Sequence, residues 1–137
     1  MVFLIDFGIV QKYRNPASHI HILMQENLSL IGTPAFASIN SHHGLQLSHR
    51  DNIKSLTYTL IFLHRGSLPW LTQDGKSPLS SIVLGRKQKF LANHDTGAHN
   101  IPAILAAILQ HACGLKFTQK PNYGHLHTIL DDAAEAM

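Results

Sequence analysis

An apolar run, Met1-Val2-Phe3-Leu4-Ile5, opens the chain ahead of Asp6-Phe7-Gly8, and nothing downstream offers it a sheet. Residues 2–5 have the composition of a short buried strand closed by Gly8. Residues 9–13 read as a second short strand, broken by Asn15-Pro16. Two short strands make at most a β-hairpin, and a strand with no further partners cannot organise a core. The rest of the chain therefore has to supply the core from helices. The expected fold is mainly α with a short β-hairpin at the amino terminus.

Residues 14–49 are rich in Ser, Asn, His and Gly and read as a long irregular stretch. The pattern changes at Asp51. Ile53, Leu56, Leu60, Ile61 and Leu63 recur at helical spacing, Ser48 or Asp51 is placed to cap the start, and Gly66 followed by Pro69 ends the run. Residues 71–85 read as a loop, residues 86–93 as the start of a helix, and residues 93–100 as a break. Pro102 fits the first turn of a helix reaching about Ala112, stopped by Gly114. A last helix is expected over residues 123–135, after Pro121.

At 137 residues the chain is one domain, and its 14% of charged residues falls well below the usual quarter or so. A full complement of apolar residues with so few charges points to a surface that a protein partner or a second copy covers. The net charge of +3 comes from eleven scattered Lys and Arg that form no stripe along any element, which excludes nucleic-acid binding. No apolar run reaches the roughly 20 residues of a membrane span, and the apolar amino terminus lacks a basic leader and carries Asp6. Cys113 is the only cysteine, so it forms no internal disulfide and reads as a buried apolar thiol in a reducing compartment, cytoplasm or nucleus.

Several segments occur in an order that carries more than composition does. They are Leu-Ile-Asp-Phe-Gly (4–8), Lys-Tyr-Arg (12–14), Gly-Thr (32–33), Ala-Ser-Ile-Asn (37–40), His42, Gly44, Arg50-Asp51 and Gly-Ser-Leu-Pro-Trp (66–70). This series resembles the casein kinase I family of Ser/Thr protein kinases. Ser-Ile-Asn stands where most kinases have Ala-Pro-Glu, and that substitution marks the casein kinase I branch. Weaker matches continue at Arg-Lys-Gln-Lys-Phe (86–90) and over residues 115–123. The resemblance covers the carboxy-terminal half of a kinase domain. On it, residues 6–40 are the activation segment, a central helix lies at about 52–64, and residues 86–135 complete the helical lobe.

The resemblance implies that Asp6, Phe7 and Gly8 belong to the ATP site, with Asp6 as a magnesium ligand. It implies that Gly32 and Thr33 lie in the substrate-positioning loop. The family's glycine-rich loop, ATP-contacting Lys and catalytic-loop Asp have no counterpart in these 137 residues, so no complete catalytic set is expected. Phosphoryl transfer depends on positioning and on stabilising spread negative charge. A lone carboxylate holds magnesium weakly, because the ion keeps most of its water. Mg and ATP are therefore expected to bind loosely at best. Ala35 stands where the family has an anion-binding Arg, Gln25 and Leu28 replace two further basic positions, and Lys89 is the remnant of that anion site. Asn52 replaces an Asp and Thr57 a Gly of the central helix. The expected function is that of a casein kinase I-like Ser/Thr kinase lobe, inactive alone. The alternative is a pseudokinase-like binding module that docks a kinase or a regulatory partner.

Eleven histidines include His19, His21, His42, His43, His125 and His127, but no Cys pair or His-Glu-x-x-His accompanies them. His21 and His42 match family histidines, which favours structural roles. Trp70 and Phe36 read as packing residues, Asp131-Asp132 as a solvated helix face, and Arg86-Lys87-Gln88-Lys89 as a weak nuclear-import patch. With part of a kinase lobe's usual neighbours missing, an uncovered face on the central helix forgoes several kcal/mol at about 25 cal/mol per Å². Marginal stability or association is the expected consequence.

Overall fold

A computed structural model of the chain describes residues 1–93 and 99–136. Five helices follow one another: α1 (Ile39–His42), α2 (His49–Arg65), α3 (Ser80–Asn93), α4 (Ala103–Cys113) and α5 (Tyr123–Glu135). The mainly helical expectation holds. The hairpin does not form. Among the described residues the β pairing is a single antiparallel bridge between Arg14 and His21. Residues 1–20 are exposed, with Val2 98%, Leu4 84% and Ile5 78% accessible, so the apolar run lies against no core. An extended segment without a neighbouring strand leaves its N–H and C=O groups to water and has no ladder to hold it.

Helix α2 begins where Asp51 turns back, its Oδ2 accepting from the Ser48 backbone N–H at 2.9 Å. It ends at Gly66, which takes the left-handed conformation (φ 75°) and sends its N–H to the Phe62 carbonyl. The helix thus starts slightly before the position that the apolar spacing marks. Its buried face is Asp51, Ile53, Lys54, Thr57, Tyr58 and Ile61. Leu56 and Leu63, expected as part of the apolar face, point outward at 54% and 72% exposure, and Leu60 is half-buried. The spacing identifies the helix correctly but does not say which apolar residues find cover. Thr57, where the resemblance implies Gly, is fully buried and donates its hydroxyl to the Ile53 carbonyl at 2.7 Å, four residues back.

Packing runs α2 against α4, α1 against α3 and α4 against α5. Trp70, completely buried, sits between Tyr58 and Phe90 with ring centroids 4.8 and 5.7 Å away in edge-on arrangements. Such contacts add about 0.5–1.5 kcal/mol each beyond simple burial. Val83, Leu105, Ile108, Leu109, Ala112 and Leu126 close the core around them. Phe36 is half-buried against it, edge-on to Phe62 at 5.6 Å, so Trp70 and Phe36 are both packing residues.

Three local expectations need correction. Helix α3 starts at Ser80, inside the expected loop, because Leu79 offers its carbonyl to Ile82 and Val83 and because Val83 is fully buried. Pro102 occupies the cap position before α4 with extended backbone (φ −53°, ψ 136°), and not the first turn. Cys113, at the end of α4, is exposed. Of the break expected over residues 93–100, residues 94–98 lie outside the described residues.

Candidate functional site

The most tightly built region is the loop 32–37 and the side chains that pin it. Gly32 turns the chain with φ 88°, and the Thr33 carbonyl accepts from the Phe36 and Ala37 N–H groups, both at 2.9 Å. The three carbonyls that follow Thr33 in this turn and point into the protein are each met by a side chain from far along the sequence. Trp70 Nε1 donates to the Ala35 carbonyl at 2.7 Å. Lys87 Nζ donates to the Pro34 and Ala37 carbonyls, each at 2.6 Å. Arg86 reaches the Trp70 carbonyl at 3.3 Å and so steadies the residue that holds Ala35.

The Ser-Ile-Asn triplet secures the other end. Ser38 Oγ and Asn40 Nδ2 both donate to Asp51 Oδ1 at 2.8 Å, and Ser38 is 1% exposed. Ser41 Oγ donates to the Ile31 carbonyl and accepts the Ile31 N–H. Asp51 thus gathers two side chains from the triplet while capping α2, and hydrogen bonds to an ionised acceptor are roughly twice as strong as neutral ones. The triplet that carries the resemblance in sequence is the one that ties loop to helix in space.

Among the described residues, no carboxylate pairs with Lys87. Its stem is enclosed between α1, α2 and α3, and its ammonium lies 5.4 Å from the ring centres of both Tyr58 and Trp70. Burial alone pulls its pKa down to about 7. His42 stands at 3.1 Å through Nε2, which also lies 3.2 Å from the Pro34 carbonyl, while its Nδ1 faces Ser80 Oγ at 3.2 Å. Burial, then the nearby Lys87 charge, lowers the His42 pKa below its ordinary value. The Tyr58 hydroxyl, buried with no partner, is raised by the same loss of solvent.

The residues singled out in the sequence are spread over the fold. Asp6 (φ 62°), Phe7 and Gly8 lie on the exposed amino-terminal segment, where Asp6 Oδ1 accepts the Gly8 N–H at 3.2 Å. Gly32 and Thr33 are exposed at the outer turn of the pinned loop. Lys89 is exposed on α3, two residues beyond Lys87, and Ala35 is 5% accessible with its carbonyl engaged by Trp70. Gln25 uses its backbone carbonyl to hold the Gln46 N–H, and Leu28 pairs with Gly44. Asn52 is exposed on α2 beside a cavity of about 300 Å³ lined by Ile9, Val10, Tyr13, Ile22 and Leu47. Among the described residues, no three His, Cys, Asp or Glu side chains converge on one point that would hold a metal ion. His21 instead packs edge-on to Phe117 at 4.8 Å.

The buried position of Lys87 escaped sequence reading, which placed it in a weak nuclear-import patch over residues 86–89. The signal was its register: Val83, Lys87 and Phe90 fall on one face of α3, and the outer two are buried apolar residues.

No family model matches the chain. The chain is 36% identical over 137 residues to casein kinase I homolog 3 of Saccharomyces cerevisiae, an alignment covering 97% of this chain and 26% of that protein. It therefore spans about a quarter of the length of that curated relative.

Proposed function

We propose, from the premise that this chain is a casein kinase I homologue, that it forms the substrate-facing part of a Ser/Thr kinase helical lobe and transfers no phosphate by itself. The observation that carries the reading is the pinned loop 33–37, whose Thr33 faces solvent while the carbonyls behind it are fixed by Trp70 and Lys87. A loop held on its inner side and open on its outer side is suited to present a protein substrate rather than to break bonds. Magnesium and ATP are not well matched to the residues that the resemblance assigns them. Asp6 is exposed, its carboxylate is turned onto its own backbone, and among the described residues it belongs to no cluster of three or more His, Cys, Asp or Glu.

Incubating the chain with magnesium, labelled ATP and casein tests the reading directly. The expected result is no label above background. Turnover by these 137 residues alone overturns it.

A second reading, a binding module, is favoured by one feature: the apolar side chains of residues 1–10 and the outward Leu56 and Leu63 are each exposed in a chain with few charges. Light scattering on the wild type and on Leu63→Glu separates the two. Concentration-dependent association that the substitution abolishes supports a docking face on α2, and a monodisperse monomer at all concentrations removes it. No described helix is long and apolar enough to cross a membrane. The cytoplasm or nucleus is the compartment we propose, consistent with a chain that needs no disulfide.

A further inference from the structure

Three acceptors surround the Lys87 amine: the Pro34 and Ala37 carbonyls at 2.6 Å and His42 Nε2 at 3.1 Å. An ammonium has three donors and no acceptor. It satisfies all three if His42 carries its proton on Nδ1, where Ser80 Oγ accepts it at 3.2 Å. A neutral amine has two donors and one lone pair. It still holds both carbonyls if the imidazole proton moves to Nε2 and is donated to the amine, while the Ser80 hydroxyl turns to donate to Nδ1. One geometry serves both states, because each partner has a group able to reverse its role. It does not serve a third. With both Lys87 and His42 protonated, the Nε2–H has only the Pro34 carbonyl at 3.2 Å, which already accepts from the ammonium, and two positive charges meet across 3.1 Å.

We propose that Lys87 and His42 form a clamp on the loop 34–37 that persists while the pair gains or loses one proton, through a tautomer exchange at His42, and opens when the pair carries two charges.

Among the described residues, the charged and titratable groups around the pair supply it no counter-ion. From α1, His43 lies beside His42 and faces Gln88 at 3.4 Å. From α2, the Tyr58 hydroxyl is buried without a partner and Asp51 is committed to Ser38, Asn40 and Ser48. From α3, Arg86 is turned to the Trp70 carbonyl. The lowered pKa values of both members agree with this enclosure, and they place the opening on the acid side of neutrality.

Nitrogen NMR of the whole chain, read from the imidazole resonances of His42 between about pH 5 and pH 9, tests the exchange. The expected result is a swap of protonated nitrogen from Nδ1 to Nε2 on raising the pH through neutrality, lost in Lys87→Met. Amide exchange at Phe36 and Ala37 should accelerate at least tenfold more than in α4 once His42 becomes a cation. A single His42 tautomer across the range overturns the proposal, as does an acid-charged His42 with the loop amides unchanged. The tautomer reading is made on the wild type, so it stands even where Lys87→Met does not fold.

Discussion

Trp70 Nε1 and the Ala35 carbonyl are joined by a 2.7 Å hydrogen bond across 35 residues of sequence, inside a pocket that leaves Trp70 no exposed surface. The indole is thus both the centre of the aromatic core and the anchor of the loop. Trp70→Phe separates the roles, since it retains an aromatic ring and removes the donor. We expect a loss of about 1–3 kcal/mol, dominated by the orphaned carbonyl, and Trp70→Ala about 3–5 kcal/mol. Urea unfolding followed by circular dichroism checks both, and equal stability of Trp70→Phe and wild type would show that the bond contributes nothing.

Asp51→Ala leaves the Ser38 hydroxyl, the Asn40 amide and the Ser48 N–H without their shared acceptor. The expected cost is about 3 kcal/mol, with the loop and the first turn of α2 losing amide protection before α4 does. Native-state hydrogen exchange measures the order directly.

Stability should rise with pH above neutrality. The unfolded chain keeps the Lys87 proton up to its ordinary value of 10.5, while the folded chain releases it near 7. Between those values the unfolded state binds more protons, so the unfolding free energy climbs by at most about 1.4 kcal/mol per pH unit. Below about pH 7 both states are protonated and this contribution levels off. His42 shifts in the same direction, which adds a further loss as the pH falls through its ordinary value of 6.5. Urea midpoints at pH values on either side of neutrality, in wild type and Lys87→Met, reveal whether the slope belongs to this lysine.

Gly44 (φ 70°) faces Leu28, whose carbonyl oxygen a Cβ would meet at 2.7 Å. Gly66 has a similar φ of 75° and open space around it. Gly66→Ala should therefore cost about 1 kcal/mol of backbone strain and Gly44→Ala distinctly more, roughly 2–3 kcal/mol. Thermal melts of the pair compare the two, and equal losses would mean that Leu28 simply moves aside.

Much of this fold was legible because the decisive signals were local. The Ser48-to-Gly66 frame of α2 follows from a cap, a helical period and a left-handed stop. The Ser-Ile-Asn triplet carries the resemblance, though its convergence on Asp51 appears only in the structure. What could not be read depends on partners distant in sequence. Residues 2–5 have strand composition, but a strand forms only where another backbone accepts its hydrogen bonds. Leu56 and Leu63 satisfy the same period as Ile53 and Ile61, and period alone cannot tell a covered side from a bare one. Lys87 is in a charged run, and its burial is decided by carbonyls some 50 residues earlier in the chain.

That separation sets an order of events. In a chain growing from its amino terminus loop 33–37 is made before the groups that hold it, which arrive with Trp70 and with α3. Closing such long segments is entropically expensive, and each contact is rewarded only when both ends are in place. The loop is therefore the part of this protein that sets last. Substitutions at Lys87 should leave the folding rate nearly unchanged and speed unfolding, which stopped-flow measurements distinguish.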